Sequence, residues 1–251
     1  MARRKRSKKT KLRASLVAGV PGTVPKRWVK FIVGLFLVPP AWLLTQTFFT
    51  AFTRAAFHEA FWATQEFWFF SLGLIIWLVA FLGLPRPLWI YVFGHELTHA
   101  LWVMLQGGKV SEFKITKHGG HILSDRINTW IALAPYFFPI YSLLVIALYG
   151  LAGLFWDMAP FRPVLYMLIG ATWGFHLSFT LWMIPRGQTD LTYGGTFFSL
   201  VLIYILNLAV LAVFLIVASP GVTLGGFGRE LIANAAELAH ATLRILQALK
   251  F

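Results

Sequence analysis

Residues 88–105 read LWIYVFGHELTHALWVML. This stretch has the length and apolar character of a membrane-embedded helix, with Pro87 before it and Gly107-Gly108 after it as stop signals. Its only acidic or basic side chains are His95, Glu96 and His99. Residues four apart share one face of a helix, so both imidazoles can reach a single ion. Two histidines at this spacing suit zinc, and the adjacent glutamate is placed to take a proton from water attacking a peptide carbonyl. Three such groups are costly in a bilayer, so they should face a protein interior or a water-filled cavity and serve a function there.

Composition agrees with this setting. Of 251 residues, 58% are hydrophobic and 12% charged, with 24 Phe and 11 Trp; the mean hydropathy is +0.71. These values exclude an ordinary soluble domain and predict an all-α polytopic membrane protein. The length accommodates about six spans of roughly 20 residues in one membrane domain. Residues 1–30 carry 11 of the 22 Lys and Arg and no acid. Beside a membrane span, such an arm marks the cytoplasmic side and contacts anionic lipid. No pattern of a nucleic-acid-binding fold accompanies it. It does not read as a cleaved signal peptide, because its apolar stretch begins late, near Phe31, and no small-residue cleavage site follows a short core. With no cysteine, disulfides and thiolate ligands are excluded, and any metal must be held by His, Asp or Glu.

Four regions follow from the pattern: a basic arm (1–27), accessory membrane segments (28–85), a membrane core (86–218) and an amphipathic tail (219–251). Trp28–Phe49 is broken by Pro39-Pro40 and reads as a kinked span or as two half-helices that dip in and return. Residues 51–66 look amphipathic and interfacial, with His58 and Glu59 a second polar spot. Phe67–Leu84 is a clean apolar run. Lys109–Ser124 (KVSEFKITKHGGHILS) predicts a small β-hairpin turning at Lys117-His118-Gly119-Gly120. Spans are expected over Trp130–Phe155, which contains Pro135 and Pro139, over Val164–Ile184, which contains His176, and over Thr196–Ala218. If every segment spans, the hairpin with Lys109, Lys114 and Lys117 falls outside, against the positive-inside tendency. A re-entrant Pro39-Pro40 segment instead puts the hairpin and Asp190 on the cytoplasmic side with the arm, and the charge rule favours that arrangement.

A catalytic zinc needs a third protein ligand. Asp190, an isolated acid after the break at Pro185–Gln188, is the first candidate, and His176 the second. Fourteen residues of straight helix separate these two by about 20 Å. Glu59, Glu66, His118, His121 and Asp125 lie in segments that look interfacial or exposed. Each candidate has a plainer reading. Asp190 would cap the following helix, and His176 would be a hydrogen-bond partner between helices. Asn207 reads as a packing hydrogen bond.

The His-Glu-x-x-His set on a membrane helix, the hairpin, the Pro-containing Ala132-Leu133-Ala134-Pro135 segment and the later isolated Asp together resemble the site-2 protease family of intramembrane zinc metalloproteases. The resemblance covers about residues 86–218. It implies that His95, His99 and Asp190 hold Zn2+, that Glu96 is the general base, and that the substrates are membrane-embedded or membrane-proximal peptides. It further implies the cytoplasmic membrane of a bacterium, and the basic arm is expected on its cytoplasmic side. One departure bears on Asp190: the family pairs this Asp directly with a Gly, whereas here Leu191 follows and Gly194-Gly195 come later. The rival readings are a metal transporter and a non-proteolytic metal-binding scaffold. The first expects further ligands strung through several spans, and His176 is the one such residue. An exposed strand edge on the hairpin would suit an unwound substrate held extended for cleavage.

Overall fold

The computed structural model describes residues 27–58, 61–116, 119–219 and 221–248. The chain runs through α1 (Arg27–His58), α2 (Gln65–Gly83), α3 (Leu88–Leu105), β1 (Val110–Thr116), β2 (Gly119–Ser124), α4 (Thr129–Phe137) and α5 (Ile140–Ala152). It continues through α6 (Arg162–Met183), α7 (Thr189–Tyr193), α8 (Thr196–Ala218) and α9 (Leu224–Ala248). Among the described residues, four helices are long and apolar enough to cross a membrane: Trp28–Phe57, Gln65–Gly83, Ala159–Arg186 and Thr196–Ala218. The bent pair α4 and α5 makes a fifth if it counts as one span. The expected number of about six included α3 as a span, and its own His95, Glu96 and His99 dilute its apolar character.

Two expectations at the N-terminal side are corrected. Pro39 and Pro40 lie inside one continuous helix, α1, so no re-entrant pair forms there. Each proline removes one intrahelical bond, and neighbouring helices make that tolerable in a membrane helix. Residues 51–58 belong to the same helix and are not a separate interfacial segment. Ala51 and Ala55 are buried in a cluster with Ala212 and Leu215. Glu59 and the side chain of His58 lie outside the described residues.

Helix pairing follows small residues. α2 and α6 run parallel, with Gly170 directly on the Phe70 backbone and Gly73 on the Met167 carbonyl. The same pair is tied by Tyr166 donating to Glu66 (3.0 Å) and Trp77 donating to Ser178 (2.9 Å). α1 and α8 are also parallel: Gly34 faces Phe197 and Phe198, and Thr45 bonds Tyr204 at 2.7 Å.

The start of α1 therefore lies at the same end of the bundle as the start of α8. Lys30 donates to Thr129 at 3.2 Å, which brings the start of α4 to that end as well. The Trp130–Phe155 stretch, expected as one span, is two helices bent by 73°. Pro139, which has no N–H to continue α4, stands just before the first residue of α5.

α3 does not run from one end of the bundle to the other. It begins beside the last turns of α6, where Tyr91 stacks on Phe179 at 4.7 Å. It ends beside the start of α4, where Asn128 donates to Gln106 at 2.5 Å. The base of the hairpin thus shares an end with the start of α1, although α1 is not re-entrant. β1 and β2 pair antiparallel with Ile115 opposite Gly120 and Thr116 opposite Gly119. Gly119 and Gly120, expected in the turn, open β2, and Lys117 and His118 lie outside the described residues. Alternate residues of β2 (Gly120, Ile122, Ser124) are buried, and β1 is mostly exposed. α9 is an amphipathic helix held to α1 by Arg54–Glu230 (3.0 Å) and Asn234 to Thr47 (2.9 Å).

Candidate metal centre

α3 buries one broad face that includes Tyr91, His95, Glu96 and His99. The four-residue spacing brings the two imidazoles together, with Nε2 to Nε2 at 3.2 Å. Asp190 arrives on α7, its Oδ2 at 3.2 Å from His95 Nε2 and 3.6 Å from His99 Nε2. All three residues are buried, and they form a group able to hold a metal ion.

Zinc bonds of about 2.05 Å in tetrahedral geometry place neighbouring donors roughly 3.3 Å apart. Edges of 3.2, 3.2 and 3.6 Å match that triangle. Two imidazoles and a carboxylate are also donors that zinc accepts.

Each donor is oriented from behind. His99 Nδ1 donates to the Ile131 carbonyl at 2.7 Å, which fixes the tautomer and leaves Nε2 as a lone pair facing the centre. That carbonyl is itself positioned by the cap of α4, where Asn128 Oδ1 accepts from the Ile131 N–H at 3.0 Å. His95 Nδ1 bonds the Tyr91 hydroxyl at 3.2 Å, and Tyr136 donates to Asp190 Oδ2 at 3.1 Å. Asn207 Nδ2 donates to the carbonyls of Tyr136 (2.8 Å) and Ile203 (2.9 Å), a packing role that also steadies Tyr136.

Asp190 is carried by Leu191, which packs into the cluster of Leu133, Tyr136 and Ile203. Ser199 donates to the Leu191 carbonyl at 3.0 Å. The left-handed Gly187 (φ 76°) turns the chain after α6. Asp190 does not cap α8, whose capping position is Gly195. Burial pushes the Asp190 carboxyl up, but the hydrogen bond to His95 (3.2 Å) and the closeness of the two imidazoles outweigh it and hold the group well below the usual carboxylate range.

Glu96 is 2% exposed, beside the ligands on the face that meets the hairpin. A Cβ on Gly120 would stand 2.5 Å from Glu96 Cγ, so only glycine lets β2 approach this closely.

The other sequence candidates lie elsewhere. Glu66 accepts from Tyr166, His121 pairs with Glu112 at 3.3 Å, and Asp125 accepts from the Lys109 N–H at 2.7 Å. Glu59 and His118 lie outside the described residues. His176 is not one of the three converging groups; it lies against Asn207 and the Tyr136 carbonyl and stacks on Trp173 at 5.5 Å.

Sequence reasoning missed Tyr91, Tyr136 and Gly120. Tyr91 had a legible signal, standing one helical turn before His95. Gly120 was read as a turn residue, and nothing local marks it as a spacer against Glu96.

No protein-family model, curated protein or solved structure matches this chain.

Proposed function

We propose that this protein is an intramembrane zinc metalloprotease that hydrolyses peptide bonds of membrane-embedded or membrane-proximal substrates. The observation that carries the reading is the near-equilateral triangle of His95 Nε2, His99 Nε2 and Asp190 Oδ2, with the buried Glu96 next to His95 on the same helix. Zinc held there would supply Lewis acidity toward a carbonyl and would lower the pKa of water to about 7. Glu96 takes the proton of the attacking water and passes it to the leaving amine, so the cleaved bond yields a carboxylate and a free amine. Tyr91, Tyr136 and the Ile131 carbonyl hold the ligands in place through the step.

The substrate must be unwound first, because the carbonyls of a helix are hydrogen-bonded and sterically shielded. The hairpin suits this need: Gly120 holds β2 against Glu96, and an extended peptide added to a free hairpin edge is brought beside the general base. The basic arm puts the N-terminus on the cytoplasmic side of a bacterial cytoplasmic membrane, in contact with anionic lipid.

The test is metal analysis and proteolysis on detergent-purified full-length protein, with fluorescein-labelled casein as the probe. The wild type should carry one zinc per chain and cleave, and Glu96→Gln should keep the zinc and lose cleavage. Glu96→Gln cutting at the wild-type rate would sink the mechanism. Bound metal without any cleavage would point to the scaffold reading instead.

A further inference from the structure

A small cavity lies beside the centre, between α3, α5 and α6, with His95, Thr98, Tyr141, His176 and Thr180 among its lining residues. Its volume of about 20 Å3 suits one oxygen-sized group. Several polar groups around it are already committed. The Tyr91 hydroxyl bonds His95 Nδ1, Thr98 donates to the Gly94 carbonyl at 2.7 Å, and Tyr141 donates to the Ile90 carbonyl at 2.6 Å. His176 differs: its Nε2 is buried with no hydrogen-bond partner.

The ring stacks on Trp173 at 30° and lies against Asn207 and the Tyr136 carbonyl, and the Asn207 amide nitrogen is tied to two backbone carbonyls. A buried polar atom left unpaired is destabilising, and an imidazole inside an apolar span adds to that burden. A ligand that bonds Nε2 removes the penalty.

Helix phase shows where such a ligand would sit. At about 100° per residue, Glu96 lies roughly 100° round α3 from His95, toward Gly120 and the hairpin. Tyr91, Gly94 and Thr98, which line the cavity, fan to the other side of His95. The centre therefore has Glu96 on one flank and the His176 cavity on the other.

We propose that His176 is a catalytic residue whose Nε2 hydrogen-bonds the scissile peptide group on the flank opposite Glu96. The proposal rests on the proteolytic reading above and deepens it, because it assigns the subsite for the peptide group being cut. His176 is not a metal ligand, since His95, His99 and Asp190 converge without it.

The experiment compares wild type, Glu96→Gln, His176→Leu, His176→Gln and His176→Asn as full-length protein in detergent micelles. Fluorescein-labelled casein is the probe, and zinc content and thermal midpoint are measured on each sample. His176→Leu should lower kcat about 100-fold with KM little changed and zinc retained. His176→Gln, which keeps an amide at similar reach, should recover part of the loss. Should the Leu variant fail to fold, His176→Asn decides by the same criteria, because its amide is polar but too short to reach.

Wild-type kcat in a folded, zinc-bound Leu or Asn variant overturns the proposal while leaving proteolysis intact, provided Glu96→Gln is inactive. Loss of zinc from the His176 variants also overturns it, since the residue would then organise the centre and not contact substrate. If the wild type does not cleave, or Glu96→Gln does, the proteolytic reading fails and this proposal falls with it.

Discussion

Gly120→Ala puts a methyl group where Glu96 and Val92 already stand. The new Cβ lies 2.5 Å from Glu96 Cγ, 3.1 Å from Glu96 Cδ and 3.0 Å from Val92 Cγ1. Carbon atoms rest at about 3.5–4.0 Å, so the closest pair must separate by about 1 Å. Val92 is one turn before Glu96 on the same face, which leaves no free direction along α3 for the methyl. Either β2 lifts from the helix or the Glu96 carboxylate swings away from the ligands.

A catalytic group misplaced by about 1 Å costs on the order of 100-fold in rate. The overpacking itself costs about 1–3 kcal/mol of stability, so the fold should survive. The atoms nearest the new methyl belong to Glu96 and Val92 and not to the three ligands, so zinc content should stay at the wild-type value. The assay is kcat on labelled casein, with zinc per chain and thermal midpoint measured on the same preparations. Wild-type kcat in a variant whose zinc and midpoint are also unchanged would refute the claim that β2 sets the position of Glu96.

Other perturbations separate the parts of the centre. Asp190→Ala should abolish zinc binding while His176→Ala retains it, read by metal analysis after dialysis. Tyr136→Phe deletes the hydroxyl that donates to Asp190 at 3.1 Å and should weaken zinc affinity about 10–100-fold without unfolding the protein, measured by chelator competition. Stripping the metal should lower the thermal midpoint, and zinc at about 1,000 times its dissociation constant should restore roughly 4 kcal/mol. Gly170→Leu drives a side chain into the Phe70 backbone and should separate α2 from α6, seen as loss of monodisperse protein in detergent.

The parts of this protein that were legible in the sequence are those governed by neighbours along the chain. The His95, Glu96 and His99 arrangement is set by helical spacing, so α3 and its shared ligand face could be read directly. The clean apolar runs of α2 and α8 were equally plain. The hairpin showed in its alternation, although its glycines turned out to serve packing as well as the turn.

Other features depended on contacts between distant segments. Asp190 was a candidate by isolation alone; its meeting with His95, ninety-five positions away in sequence, depends on the turn at Gly187 and the seat of Leu191 among Leu133, Tyr136 and Ile203. Pro39-Pro40 looked like a break because local propensity disfavours proline inside a helix, yet packing against α8 and α9 keeps α1 whole. The tilt of α3, which brings the hairpin to the end where α1 begins, is written in no single segment. Helical periodicity is a property of one chain segment and can be read from it, whereas the closure of the centre is set by which surfaces fit together, and that was decided only when Asp190, Tyr136 and Gly120 were packed around α3.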